Sequence, residues 1–314
     1  MFRLKLVPAK TSLRFMERRK IAFVLSALLI IGSVAMYFSQ GLNRGIDFEG
    51  GIMVEVKTDG PADLGRMRNL MNGLGLGQVA LQEFGSPDDV LIRVERQPGG
   101  AEAQQAAVET VKSALDPEFP GINYRRVEFV GPTVSGELVE AASIAVLTSV
   151  AIMLIYIWMR FEWHFSVGAV IALVHDVVIT LGMFSVTGIE FNLASVAAIL
   201  TIVGYSINDT VVVYDRIREN LRKYKKLPLP DLLDVSINDT LSRTVMTSVT
   251  TLLALVALFI FGGEVIRGFA FAMIWGVVIG TYSSIFVAAP ILMVLGLKRG
   301  IRDMEDESGD RAIA

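Results

Sequence analysis

Phe191-Asn-Leu-Ala-Ser-Val-Ala-Ala-Ile-Leu-Thr-Ile-Val-Gly-Tyr-Ser-Ile-Asn208 is an uncharged run of eighteen residues that leads straight into Asp209 and then Thr210-Val-Val-Val213. Such a run is close to the length of a membrane helix. A carboxyl group inside one costs roughly 2.5–3.5 kcal/mol on insertion scales and is kept mainly where it has a function. Asp209 therefore nominates a proton or ion pathway. At 1.5 Å per residue it lies roughly 10 Å from the middle of the run near Ile202. Thr201, Tyr205 and Asn208 occupy its own or adjoining turns, and Gly204 would admit a neighbouring helix.

Composition agrees with a membrane reading. Hydrophobic residues make up 53% and charged residues 19%, with a mean hydropathy of +0.53; soluble domains average roughly 45–50% and about 25%. The absence of cysteine excludes disulfides and Cys-based zinc or thiol chemistry, and two histidines, His164 and His175, argue against a His-rich metal site. No metal and no cofactor is expected.

Working outward, six mostly uncharged stretches reach the roughly 20 residues that a spanning helix needs: Ile21–Asn43, Ala141–Met159, Phe165–Ile189, Phe191–Val213, Thr244–Gly263 and Gly268–Leu297. The last is long enough to tilt or to bend at Pro290. The first is longer than the apolar core of a signal peptide and no A-x-A site follows Phe38, so it reads as a retained anchor. The implied layout is a tail at 1–20, helix one at 21–43, a small αβ domain at 44–137, a five-helix membrane domain at 138–297 and a tail at 298–314. Within the membrane domain the helices fall at about 138–159, 165–187, 191–213, 244–263 and 268–297.

Orientation follows the loop lysines and arginines. Residues 1–20 carry seven basic side chains against one acidic, and Arg216, Arg218, Arg222, Lys223, Lys225 and Lys226 crowd the link between helices four and five. The short loops on the other side hold only Arg267. Both termini are therefore expected in the cytoplasm, and Arg44–Glu140, with sixteen acidic and nine basic residues, outside it. In that segment Gly51–Lys57 alternates as a strand, Pro61–Leu74 suits a helix, and Gln78–Phe84 and Val90–Glu95 are strand-like about a turn at Gly85–Asp89. Ala101–Leu115 reads as a helix stopped by Asp116-Pro117, and Tyr124–Val130 alternates again. The order βαββαβ is the ferredoxin-like split unit. It has no cluster of nucleophile and base, so no catalysis is expected from it, and a superfold by itself assigns no function.

Three further features could carry chemistry. Arg243 sits at the cytoplasmic start of helix five among Ser242, Thr244, Thr247 and Ser248. Near Asp209 it would favour the ionised carboxylate, and moving away would favour the neutral one; a snorkelling arginine is the plainer alternative. His175-Asp176 falls near the middle of helix three, where neighbours at i,i+1 should face different partners. The string Ser-Ile-Asn-Asp-Thr occurs at 206–210 and again at 236–240, where Asp239 lies among loop-like residues and should be solvated. The basic cluster after helix four suits lipid headgroups or a partner's cytosolic loop rather than nucleic acid. Gly73-Leu-Gly-Leu-Gly77 lacks the Lys-Ser/Thr of a phosphate loop.

Three motifs in sequence order resemble the SecF side of the bacterial SecD–SecF protein-export family. They are Gly45-Ile-Asp-Phe-Glu-Gly-Gly51, Val130-Gly-Pro-Thr-Val-Ser135, and Thr201–Thr210 running on to Asp215-Arg-Ile-Arg-Glu-Asn220. Within them Gly45, Asp47, Phe48, Gly50, Gly51, Gly131 and Pro132 carry the match. The resemblance spans about Phe15 to Leu297, and Phe261-Gly-Gly263 and Gly276–Ser284 share it. It implies a six-helix inner-membrane subunit, similar to the resistance-nodulation-division transporters. In that family proton flow drives external domains that pull unfolded polypeptide outward. It further implies SecD, the SecY-SecE-SecG channel with associated insertion factors, the translocating chain and membrane lipids as partners, and no enzyme activity. The family's proton-pathway carboxylate and arginine match Asp209 and Arg243, with Tyr205, Asn208, His175 and Asp176 as supporting candidates; the other carboxylate belongs to SecD.

Other readings use some of the same residues. A half-transporter of the same superfamily, moving a lipid or small molecule, needs the same helices but usually larger outer domains and a second half. An intramembrane aspartyl protease would use Tyr214-Asp215, but the second Gly-x-Gly-Asp motif is absent. A passive scaffold subunit would need no proton movement.

Overall fold

The computed structural model of the chain describes Pro8 and residues 11–297, which form two compact units. In chain order, a 3-10 turn (Met16–Arg18) precedes α1 (Arg19–Gln40) and α2 (Ile46–Glu49). β1 (Gly51–Lys57), α3 (Leu64–Asn72), β2 (Val79–Phe84), β3 (Ser86–Val94), α4 (Gly100–Glu118) and β4 (Asn123–Val130) follow. The chain continues through α5 (Pro132–Arg160), α6 (Trp163–Thr187), α7 (Leu193–Lys223), α8 (Leu229–Phe261) and α9 (Glu264–Ser283), then a π-helical turn (Ser284–Ala288) and α10 (Ala289–Val294). The tail at 298–314 and most of the first ten residues lie outside the described residues.

The αβ unit comprises Leu42–Leu147 with Ile189–Val196. Its antiparallel sheet has the order β2–β3–β1–β4. Alternation decides which face is covered. Ile52, Val54 and Val56 of β1 and Val90, Ile92 and Val94 of β3 point to one side, where they bury against Met67 and Met71 of α3 and Val108, Val111 and Leu115 of α4. Met53 and Leu91 face the other side and pack with Ile46 of α2. Pairs such as Val54↔Ile92 set the register. A one-residue slip would turn this apolar set to the wrong face.

Two details of this unit depart from the sequence reading. β3 begins at Ser86, so Ser86–Asp89 is strand, and Gly85 at φ +86° turns the chain by itself between the paired Phe84 and Ser86. α4 runs through Pro117 to Glu118, because a proline in the last turn removes one helical hydrogen bond and Phe119 still donates to Leu115 O at 2.9 Å. Gly50 and Gly51 have φ of +71° and +115°, conformations costly for any side chain. A Cβ on Gly51 would also sit 2.6 Å from Val94 O.

The helical unit contains the described residues up to Gly41, 148–188 and those from Ala197 on. Among the described residues six helical stretches are long and apolar enough to cross a membrane: Met16–Gln40, Thr133–Arg160, Trp163–Thr187, Leu193–Lys223, Leu229–Phe261 and Val265–Val294. Two are longer than expected. α7 continues ten residues past Val213, burying Tyr214, Ile217 and Asn220. α8 starts at Leu229 rather than 244, because Leu232, Leu233, Ile237 and Leu241 recur at helical spacing and are all buried while Asp231 is exposed. The expected sixth helix is divided. Pro290 has no N–H and its ring would clash with the carbonyl four residues back, and the chain widens into a π turn just before it.

Small residues permit the closest packing. A Cβ added to Gly276 of α9 would overlap Ile202 of α7, and one on Gly280 would lie 3.1 Å from Ser206 Cβ. Gly204, the glycine expected to admit a neighbour, has nothing within 4 Å of such a Cβ.

Candidate functional site: buried carboxyls of the helical unit

Among the described residues of the helical unit two carboxyl groups are buried, Asp209 at 3% exposure and Asp176 at 0%. Their surroundings differ. Asp209 Oδ2 is enclosed with no hydrogen-bond partner. A buried oxygen left this way carries a desolvation cost of about 1–3 kcal/mol, more when charged. Arg243, exposed on α8, lies within electrostatic reach of Asp209, yet no ion pair joins them among the described residues. Tyr205 turns elsewhere and donates to Ser248 Oγ at 3.3 Å, and Ser248 meets Thr281 Oγ1 at 2.7 Å. Asn208 is exposed, as are Ala197, Thr201 and Gly204 on the same face of α7.

Asp176 is fully engaged. Its Oδ2 accepts from Ser206 of α7 at 2.5 Å and from Ser283 of α9 at 2.7 Å. Its Oδ1 lies 2.8 Å from His175 Nδ1, and His175 Nε2 lies 3.1 Å from Ser26 Oγ of α1. Ser26 meets Tyr282 Oη at 3.0 Å, and Tyr282 donates to Ala22 O at 2.9 Å. The expectation that His175 and Asp176 face apart therefore fails in part. They do serve different helices, but both side chains also curl along α6 far enough to touch. The sequence does not single out Ser206 and Ser283 as partners of Asp176, nor Ser26 and Tyr282 as the chain beyond His175. The available signal was hydroxyl residues inside uncharged helices, where a buried hydroxyl must find a partner.

The second Ser-Ile-Asn-Asp-Thr string is not solvated loop. Asp239 accepts from Arg216 Nε at 2.9 Å and from Asn220 at 3.3 Å. Ser236 accepts from Asn220 at 2.9 Å, and Asn238 Nδ2 donates to Leu13 O at 2.8 Å. Asp215 is held by Arg160 through paired bonds of 2.9 and 2.8 Å.

In the αβ unit, Asp47 Oδ2 accepts from Leu193 N at 3.0 Å, in the first turn of α7. Gly45 N donates to Phe191 O at 2.9 Å, Phe191 N donates to Asn43 O at 2.7 Å, and the rings of Phe48 and Phe191 lie 5.8 Å apart. Gly131 O accepts from Ser135 N at 3.0 Å, and Pro132 opens α5. These contacts give the glycine-rich motif a structural account: it ties the segment after α1 to the start of the helix that carries Asp209.

Residues 110–298 match the family described as Protein export membrane protein SecD/SecF, C-terminal, and residues 38–62 match the SecD/SecF GG motif. The chain belongs to the SecD/SecF family. Among relatives, the protein translocase subunit SecF of Rickettsia bellii is 48% identical over 297 residues, covering 94% of this chain and 97% of that one. The SecF of Rhodobacter capsulatus is 48% identical over 319 residues, covering 98% and 96%. The crystal structure of SecDF from Thermus thermophilus, a translocon-associated membrane protein, is similar with a TM-score of 0.83 at 35% identity, over 92% of this chain and 39% of that one. A SecDF crystal structure in a super-membrane-facing form gives 0.65 at 32% identity, over 100% and 41%. The chain thus spans about two fifths of the solved SecDF chains and nearly all of the SecF relatives. Gly50 and Gly51, the pair in the GG motif segment, are the two positive-φ glycines that start β1.

Proposed function

We propose that this chain is the SecF-type subunit of a protein-export complex and that it uses the proton gradient, together with a SecD partner, to promote movement of unfolded polypeptide across the inner membrane. The enclosed, unpartnered Oδ2 of Asp209 carries the reading. An ionised carboxylate so placed is unsatisfied, whereas proton uptake removes the charge and supplies a donor. Arg243 stands near enough to favour the ionised form without clamping it, so small relative movements of α7 and α8 would change the balance.

The αβ unit, with its order βαββαβ and both helices on one sheet face, supports the ferredoxin-like assignment for an external domain that contacts the translocating chain. Both termini then lie in the cytoplasm, with the SecY-SecE-SecG channel and its insertion factors as neighbours. The exposed face Ala197, Thr201, Gly204 and Asn208 recurs at helical spacing beside Asp209 and suits a closely packed SecD helix. Coupling by protons needs no cofactor.

The test is export into vesicles reconstituted with SecD and the channel. Asp209→Asn should insert and bind SecD normally while gradient-stimulated export falls to the level seen without a gradient. Arg243→Met should do likewise, and Asp231→Asn, exposed in the first turn of α8, should behave as the parent. Full stimulation in Asp209→Asn across a range of imposed gradients would replace this reading with that of a passive scaffold.

A further inference from the structure

The His175–Asp176 pair has a property that Asp209 lacks: a chain of two hydroxyls, Ser26 and Tyr282, leads from its outer imidazole nitrogen to Ala22 O through three contacts, and it can be arranged for two protonation states without moving a heavy atom. In the first state the imidazole is neutral. Nδ1–H donates to Asp176 Oδ1, the Ser26 hydroxyl donates to Nε2, and the Tyr282 hydroxyl donates to Ala22 O. In the second state Nε2 has taken a proton from water. Nε2–H donates to Ser26 Oγ, the Ser26 hydrogen turns to Tyr282 Oη, and Tyr282 still donates to Ala22 O. One N–H bond forms at Nε2 as one O–H bond breaks in the hydronium ion that delivers the proton. The neutral state leaves the 3.0 Å contact between Ser26 Oγ and Tyr282 Oη without a hydrogen, and the added proton fills it, so every contact of the chain is a hydrogen bond only in the second state.

Charge favours the second state as well. The carboxylate is 0% exposed and already accepts from Ser206 and Ser283. With neutral imidazole the pair carries a net charge of about −1, and uptake of one proton makes it an internally neutral ion pair, the less costly arrangement away from water. Ser26 on α1, Tyr282 on α9 and Asp176 beside it on α6 face the imidazole, and Phe286 of the π turn backs Tyr282. Ser206 of α7 reaches the carboxylate only. Asp176 and Tyr282 are the titratable members of this shell. The Tyr282 ring lies nearly parallel to the imidazole, with centroids 6.1 Å apart, and offers its face to a cation.

We propose that His175 and Asp176 form a second proton-binding site of the membrane unit, loaded at His175 Nε2 through the Ser26–Tyr282 hydroxyl chain. Ser206 stands three residues before Asp209 on α7, so a change in the carboxylate's demand for that hydroxyl bears on the helix that positions Asp209. The proposal rests on the proton-coupled reading above for its purpose, but its chemistry is measurable without it.

Because the chain has two histidines, 15N-histidine labelling yields two imidazole signals, which His164→Gln assigns. The labelled full chain is paired with unlabelled SecD in lipid bilayers. Spectra are taken across a window from about pH 8 to about pH 5, and both the imidazole and the imidazolium form of His175 should be seen within it. At a fixed pH within that window Tyr282→Phe keeps the ring but removes the acceptor needed by the charged state. It should lower the imidazolium-to-imidazole ratio about tenfold, the weight of one hydrogen bond in a chain that ends on a charge. Ser26→Ala, measured the same way, should also lower it and serves if Tyr282→Phe does not assemble. A His175 locked in one form across the window, or a ratio unchanged in the assembled variants, overturns the proposal. His175 should still titrate in Asp209→Asn, so loss or retention of gradient-driven export in that variant judges the other reading alone.

Discussion

Asp209 and Asp239 end the same four residues, Ser-Ile-Asn-Asp, and occupy opposite situations. Asp209 has an enclosed oxygen with no partner, while Asp239 is held by Arg216 at 2.8–2.9 Å and by Asn220. Each fate follows from what faces the helix at that point: apolar and small side chains around the first, basic and amide groups around the second. Asp239→Asn is therefore not an inert control. It should lower the thermal stability of the detergent-solubilised complex by about 0.2–1 kcal/mol, the usual worth of a partly exposed pair. Gradient-stimulated export should be unchanged by it. An export defect matching that of Asp209→Asn would mean that both copies of the string belong to the proton machinery.

At the scale of elements, the αβ unit contains its own core, and residues 44–137 expressed alone should melt cooperatively; a molten product would mean that segment 189–196 or the helices are needed for folding. In that fragment Gly51→Ala should lower stability by about 1–3 kcal/mol, since it adds positive-φ strain to a clash with Val94 O. A change within measurement error would show that the start of β1 can relax. The same fragment carries a pH test. Asp88, at the β2–β3 hairpin, is hydrogen-bonded by Lys57 and Ser86, which lower its carboxyl from the ordinary 3.8 to about 2. A depressed carboxyl stabilises the fold above its unfolded value and loses that contribution as pH falls toward about 2. Asp88→Asn should therefore be less stable than the parent at pH 7, and equally stable near pH 2. Because Asp88 is solvent-exposed the difference should be small and should shrink further in high salt.

For the whole molecule, six candidate spans among the described residues hold few deep ionisable groups, so on the proposed function another chain must complete the proton route. Vesicles containing this chain alone should conduct protons more slowly than vesicles containing the SecD complex at equal protein density. Equal rates would show that the chain holds a full pathway. Disulfides introduced between Thr201→Cys or Asn208→Cys and a facing SecD helix should form readily, because these positions belong to the exposed face of α7. No crosslink at either position, with crosslinks elsewhere, would assign the partner to another face.

The candidate spans, the αβ segment and the placing of Asp209 inside an apolar helix could be read from the sequence because each depends on local quantities. These are the length of an uncharged run, the period of alternation, and the cost of one charge in hydrocarbon. The family resemblance rested on the order of short motifs for the same reason. Helix ends were less legible: α8 begins fifteen residues early because an amphipathic stretch has a neighbour to cover Leu232, Leu233 and Ile237. The partners of Asp176 were not legible at all. Ser206 and Ser283 are separated from it by 30 and 107 residues, and Ser26 from its partner His175 by 149. A serine's spacing within its own helix does not say which helix it will face. Only the packing of α1, α6, α7 and α9, made close by Gly276 and Gly280, brings those hydroxyls to the His175–Asp176 pair and leaves Asp209 Oδ2 without any.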